Sequence, residues 1–236
     1  MHDRHVERME RRLSRHDCRA ERLERRLSHR ERRHSDTREE ILEAAREVLL
    51  ERGAADLSLR EIARRAGFSP GALYKYFDNK DDVIKALADK AMGLLLAEFG
   101  NVPAKLPPDE RALEMGMAYL EFARHNPEDV AVIAMHESTL HALPFSNEHR
   151  LVEEAVTGVF KDGVAQGVFA PADAAGAGAA DDVEYMTYGA WALVQGLATF
   201  EQQQRPALAE KLRQKQRQLL RVYINGLKRD WSVDVD

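Results

Sequence analysis

Between Ser58 and Lys80 the chain starts and stops a helix twice within 23 residues, and few folds accommodate that. Ser58-Leu59-Arg60-Glu61 has the spacing of a capping box. It opens a short helix through Ile62, Ala63 and Ala66 that Gly67 ends. Pro70 then suits the first turn of a second short helix, Gly71–Phe77, and Asp78-Asn79-Lys80 breaks the chain before a long helix from Asp81 to about Phe99. Upstream, Thr37-Arg38-Glu39-Glu40 has capping spacing too. Ile41, Leu42, Ala45, Val48 and Leu49 follow on one helical face up to Gly53.

Helix, glycine turn, helix, with a third helix packed before them, is the layout of a helix-turn-helix. In that motif the second short helix enters the major groove, whose width of about 12 Å admits one helix. Ser69, Gly71 and Ala72 at its leading end permit close approach, and its first N–H groups face outward for a phosphate. Tyr74 and Tyr76 add hydroxyl donors, and Lys75 and Lys80 add cations. Leu73 and Phe77 read as core. Tyr74 has a second reading, partial burial against the long helix, and Arg60 and Lys75 a second reading as ordinary surface charges.

The remainder supports an all-α chain. Hydrophobic residues make up 44% and charged residues 32% of the 236 positions, enough for a packed interior under a charged surface. Ala, Leu, Glu and Arg abound, and no stretch alternates apolar and polar residues as a half-buried strand does. Helical faces run across 109–125, 128–142 and 147–167, after a linker marked by Pro103, Pro107 and Pro108. Small residues over 170–182 read as a mobile loop before two long helices, 183–204 and 207–230. Three segments are expected: a basic, helical extension over 1–34, a three-helix DNA-binding domain over 35–82, and a helical effector-binding and dimerisation domain over 83–236.

Charge is divided unevenly. The net value is −5, yet residues 1–34 carry 12 arginines against 7 acids. Within them Arg8-Met9-Glu10-Arg11-Arg12-Leu13-Ser14 returns fourteen residues later as Arg22-Leu23-Glu24-Arg25-Arg26-Leu27-Ser28. Two heptads place Val6, Leu13, Ala20 and Leu27 on one stripe, with Met9 and Leu23 beside it. A solvated helix, a basic arm touching DNA and a coiled-coil contact with another subunit all fit that pattern. Cys18 is the only cysteine and the N-terminus lacks an apolar signal segment, so a cytoplasmic location is expected.

Enzyme chemistry finds little footing. His136-Glu137-Ser138-Thr139-Leu140-His141 is one residue too long for a zinc-protease helix motif. Histidines five apart point about 140° from each other on a helix, so they cannot share a metal. A Gly-rich phosphate loop and a nucleophile elbow are both missing, and neither a cofactor nor a metal is expected. A helical interaction protein that ignores DNA is the other rival, and it leaves the run from Tyr74 to Lys80 unexplained.

Residues 37–85 resemble the N-terminal domain of the TetR family of repressors. The resemblance rests on Ser58-Leu59-Arg60-Glu61-Ile62-Ala63, on Ala66-Gly67-Phe68-Ser69, and above all on Leu73-Tyr74-Lys75-Tyr76-Phe77-Asp78-Asn79-Lys80. It implies that Ser58, Tyr74 and Lys80 hold phosphates, while Arg60, Ser69, Pro70, Gly71, Ala72, Lys75 and Tyr76 face the groove. It also implies a homodimer on a palindromic operator, released by a small effector. Tyr188-Gly189-Ala190-Trp191-Ala192-Leu193-Val194-Gln195-Gly196-Leu197 resembles the Trp-His-Gly motif of one class within that family, with Gln195 where histidine is usual. Trp191 and Gly196 have the plainer reading of tight helix packing. Met115, Tyr119, Phe122, Met135, Phe160, Tyr185, Met186 and Trp191 are the candidates to line a cavity for an apolar or aromatic effector, unless they are simply core.

Overall fold

The computed structural model describes residues 31–53, 56–139, 147–170, 179–203 and 206–228, with side-chain burial left out for 135–139 and 179–181. The heptad repeat of the extension and the last two residues of the His136–His141 run lie outside the described residues. Among the described residues the chain is all helix and connecting turns. The helices are α1 (31–52), α2 (Leu59–Ala66), α3 (Pro70–Leu73), α4 (Lys80–Gly100), α5 (Pro108–His125), α6 (Pro127–Thr139), α7 (Asn147–Ala165), α8 (Ala179–Gln203) and α9 (Pro206–Gly226). The chain divides into two compact units, Met1–Val83 and Ile84–Asp236, so the division falls within α4.

In the first unit the expected apolar face of α1 is the observed one. Ile41, Leu42, Ala45, Val48 and Leu49 are buried, and so are Leu59, Ile62 and Ala63 of α2. The start of α1 differs from the expectation. The helix is already formed at residue 31 and passes through Thr37 unbroken. Arginine and glutamate are good helix formers, and Ser35-Asp36 offers no proline or glycine to stop it, so the capping spacing at Thr37 lies inside a helix. The same helix crosses the 34/35 boundary set between extension and domain.

Around α2 the caps are as the sequence spells them. Ser58 Oγ accepts from the Glu61 N–H at 3.3 Å. Gly67 closes the helix at φ 73°, a left-handed conformation that suits glycine. The next helix is shorter than Gly71–Phe77. True α-helix ends at Leu73, and the chain continues to Phe77 through tight turns, with Lys75 N–H donating to Ala72 O at 3.2 Å and Tyr76 N–H to Leu73 O at 2.8 Å. Asn79 forces the change. Its Oδ1 accepts from the Asp82 N–H at 2.9 Å, Asp82 Oδ2 accepts from the Asp78 N–H at 3.1 Å, and this reciprocal cap begins α4.

The second unit is a bundle in which α5 packs against α6, α7, α8 and α9, and α8 against α7 and α9. Its core runs from Ala91, Met92, Leu95 and Phe99 of α4 through Leu113, Tyr119 and Phe122 of α5 to Leu220 and Ile224 of α9. Three glycines set the spacing. A Cβ on Gly116 would fall 2.9 Å from Leu220 Cδ1, one on Gly163 2.1 Å from the Phe169 ring, and one on Gly189 2.5 Å from Tyr223 Oη. Gly196 faces open space within the single chain, so it packs closely against no helix of its own bundle. Helix α8 starts at Ala179, four residues ahead of the expected 183, which removes the end of the expected 170–182 loop; residues 171–178 lie outside the described set. Elsewhere the helix ends fall within a few residues of expectation.

Candidate DNA-facing surface and apolar cavity

Short α3 is held by two anchors. Leu73 is fully buried and Phe77 is 4% exposed, each burial being worth about 2 kcal/mol. With those side chains turned inward, their neighbours are turned out. Ser58, Arg60, Ser69, Pro70, Gly71, Tyr74, Lys75 and Lys80 are exposed, and Ala72 and Tyr76 are half-buried. Tyr74, at 58% exposure, is not buried against the long helix. The structure thus places the ten predicted residues of this set on α2, α3, the turns flanking them and the first residue of α4, with their accessible sides to solvent.

Electrostatics separates the arginines of α2. Arg64 binds Glu61 through two hydrogen bonds of 2.9 and 2.7 Å, and Arg65 binds Glu51 through two of 2.6 Å. The Arg64 pairing holds the Glu61 carboxyl at about 2, well below its ordinary 4.5, and Arg65 lowers Glu51 in the same way. Arg60, on the same helix, forms no ion pair among the described residues, and neither does Lys75. Those two cations are available for an outside partner.

Two residues escaped the sequence reading. The His34 ring lies against Tyr76, centroids 4.5 Å apart and tilted by 30°, and the Arg38 guanidinium sits 5.0 Å over the Phe77 ring. The His34 contact needs α1 to begin ahead of Thr37, and the apparent cap there hid it.

In the second unit a cavity opens among α4, α5, α7, α8 and α9. Met115, Tyr119, Phe160 and Trp191 line it, as expected, together with Phe99, Val156, Val159, Ala190, Val194, Leu220, Tyr223 and Ile224 among others. Phe122 and Met186 are buried in the surrounding core without lining it. Tyr185 is a correction. At 72% exposure it points to solvent, because it sits on the opposite side of α8 from Met186 and Val183. The side chain of Met135 is outside the described set.

Tyr119 and Trp191 meet edge to face, centroids 5.2 Å apart. Tyr223 Oη donates to Met186 O at 2.8 Å, and burial pushes its pKa up to about 12. The open space is small, about 40 Å³ for the centre of a water molecule, against roughly 10–15 Å³ for a single water. Val194, Tyr223 and their neighbours were missed because α9 reaches α5 and α8 only in the folded bundle. Among the described residues no cluster of His, Cys, Asp or Glu could hold a metal, and no helix is long and apolar enough to cross a membrane.

An exposed helix-turn-helix ahead of a helical unit with an apolar cavity defines a class, the one-chain regulatory proteins. Comparison with known proteins specifies the family. Residues 41–87 match the family model described as bacterial regulatory proteins, tetR family. The HTH-type transcriptional regulator SrpR of Pseudomonas putida is 33% identical over 96 residues, 39% of this chain and 42% of that protein. The HTH-type transcriptional repressor KstR2 of Mycobacterium tuberculosis is 27% identical over 139 residues, 57% of this chain and 70% of that one. A crystal structure of a tetR-family regulatory protein from Rhodococcus RHA1 superposes with a TM-score of 0.61 at 18% identity, covering 81% of this chain and 96% of that chain. The solved structure of KstR2 gives 0.56 at 22%, covering 82% and 95%. Residues 41–87 carry the N-terminal domain of the tetR family of bacterial regulatory proteins. The relatives just named are regulators and not enzymes, and the match spans about half the length of the first of them, at 42%.

Proposed function

We propose that the protein is a ligand-responsive repressor that binds a palindromic operator as a homodimer and leaves it when a small apolar effector fills the second unit. One observation carries the DNA half of this reading: Arg60, Tyr74 and Lys75 stand exposed, the two cations without an ion pair among the described residues, while the neighbouring arginines are tied to carboxylates. Ser58, Tyr74 and Lys80 would hold phosphates, and Arg60, Lys75 and the small residues Ser69 to Ala72 would face base edges. Residues 70–77 include no Asn, Gln or Arg for bidentate base reading, so Arg60, Lys75, methyl contacts and DNA shape would supply specificity.

The dimer would form through α8 and α9. Tyr185, Tyr188, Ala192, Gly196 and Phe200 make an exposed stripe at helical spacing on α8, and Leu208, Leu219 and Val222 are exposed on α9. Such faces, open in a single chain, suit an isologous pairing. Two recognition segments would then meet half-sites about 34 Å apart. Helix α4 begins at Lys80, within the DNA-facing set, and carries Phe99 of the cavity near its other end. Cavity filling would act through that continuous rod, and a coupling of about 1–3 kcal/mol would change operator affinity 5- to 150-fold. The name of KstR2, a ketosteroid transcriptional regulator, agrees with an apolar effector.

The test is a mobility shift on promoter DNA upstream of the gene and its divergent neighbour, at several salt concentrations. A shifted complex whose affinity falls with salt supports the reading. Absence of binding to any palindrome recovered from random-sequence selection refutes it.

A further inference from the structure

The second unit also constrains the charge of whatever enters it. We infer that the effector is an uncharged lipophile, and that the cavity rejects anionic and cationic forms of the same skeleton. This rests on the reading of the cavity as the effector site.

The lining is hydrocarbon and aromatic, and its polar atoms belong to Tyr119, Tyr223 and Trp191. It includes no Lys, Arg, His, Asp or Glu. Tyr223 stays neutral, since its hydroxyl is held at about 12, and that hydroxyl already donates to the Met186 carbonyl. What it offers a ligand is lone-pair acceptance, which suits an alcohol or N–H and not a carboxylate.

Three cations on the helices around the cavity are held in pairs that tie one helix to another. Arg217 of α9 binds Glu114 of α5 at 2.6 and 3.0 Å, Arg111 of α5 binds Asp162 of α7, and Lys228, just after α9, binds Asp109 of α5 at 2.5 Å. An anion among Tyr119, Phe160 and Trp191 would therefore lose its water without gaining a counter-charge, which costs several kcal/mol. A cation would gain ring-face attraction of about 0.5–2 kcal/mol, less than its desolvation. A neutral ligand incurs neither cost. Because the open space is so small, it must enter by spreading side chains, and those that yield are apolar.

The probes are decyl and naphthylmethyl skeletons, each as alcohol, carboxylate and ammonium, added to the full-length protein at pH 7.5. Binding is read by Tm and by tryptophan emission. The chain has two tryptophans, so Trp231→Phe leaves Trp191 as the sole reporter inside the cavity. An alcohol of at least one skeleton is expected to raise Tm and shift Trp191 emission, with its charged counterparts at least tenfold weaker. In Trp191→Phe the emission response should vanish while the Tm shift persists, a control that needs no cavity-filling substitution. A carboxylate or ammonium binding within threefold of its alcohol, with the same Trp191 response, overturns the charge rule and leaves the effector site standing. If neither alcohol binds, or binding leaves Trp191 emission unchanged, the cavity is no lipophile site and the effector reading falls with the inference.

Discussion

At the scale of single residues, the two ends of the molecule use their side chains in opposite ways. Around α3, two anchors are hidden so that their neighbours can be offered. Lys80→Ala and Tyr74→Phe should weaken binding to every DNA alike; Lys80→Ala, which removes a charge, should also lower the salt-dependence slope by about 0.9, and loss of the neutral Tyr74 hydroxyl should leave the slope unchanged. Arg60→Ala should instead reduce discrimination among operators, by about 1–3 kcal/mol at the position it reads. Titration with competitor DNA distinguishes these outcomes, and a preserved preference in Arg60→Ala counts against its groove role. In the bundle, Gly189 leaves room for the Tyr223 hydroxyl at the backbone of α8. Gly189→Ala should cost about 1–3 kcal/mol through overpacking. The cost should shrink in a Tyr223→Phe background, where the colliding oxygen is gone, and denaturant melts of the four proteins would show it. Glu61 contributes a pH effect of known sign. Its folded pKa, about 2, lies below its ordinary 4.5, so its stabilisation is present above pH 4.5 and is lost as pH falls towards 2. Glu61→Gln should therefore flatten that acid limb in urea midpoints measured from pH 6 to pH 2.

At the scale of elements, each helix has its own reason to stop. Proline opens α5, α6 and α9, and left-handed Gly67 closes α2. These signals are local, which is why the pattern of residues anticipates them. Two elements depart from the expected bounds. Helix α1 extends back to residue 31, where His34 covers Tyr76, and α3 is curtailed by the Asn79 cap. The pairing of α8 with α9 relies on a buried polar network. Gln216 is fully buried and Glu201 is 7% exposed. Gln216 Nε2 donates to Glu201 Oε2, Arg124 donates to Gln216 Oε1 at 2.9 Å, and Arg213 donates to Glu201 Oε1 at 3.2 Å. Glu201→Ala leaves the buried Gln216 amide without its acceptor, while Arg124 keeps Gln216 and Glu121 and Arg213 keeps Glu210, and should lower stability by about 2 kcal/mol in thermal or urea melts. An unchanged melt would mean that water satisfies the network.

At the scale of the whole molecule, the proposed repressor depends on faces that a single chain leaves open. Phe200→Glu combined with Val222→Glu places charges on the exposed sides of α8 and α9. It should give a monomer by sedimentation, with helical content retained and operator affinity reduced at least tenfold. A dimer that survives these changes would have to pair elsewhere. The basic extension is separable from this question. Removing residues 1–30 keeps His34 and α1, so any loss of affinity would belong to the extension itself.

How much of this was legible beforehand follows from the range of each interaction. Helix class, the caps at Ser58 and Gly67, the buried roles of Leu73 and Phe77, and the resemblance around Tyr74 to Lys80 all depend on residues a few positions apart. The cavity was half legible. Met115, Tyr119, Phe160 and Trp191 could be named because large apolar residues recur on helical faces, but the same logic misassigned Tyr185, whose neighbour Met186 faces inward.

By itself the sequence determined which segments are helices and which short one must stand out from its domain, because periodicity, capping and turn chemistry act within a few residues. Only the tertiary structure decided that Gly116, Gly163 and Gly189 are the close-packing glycines. It alone showed that Tyr223 reaches across to α8, that α1 stacks on Tyr76, and that the cavity is walled without a charge. Apart from Gly163, which packs on Phe169 just past the end of its own helix, those features arise where elements distant in sequence approach each other, and no local pattern encodes the distance between them.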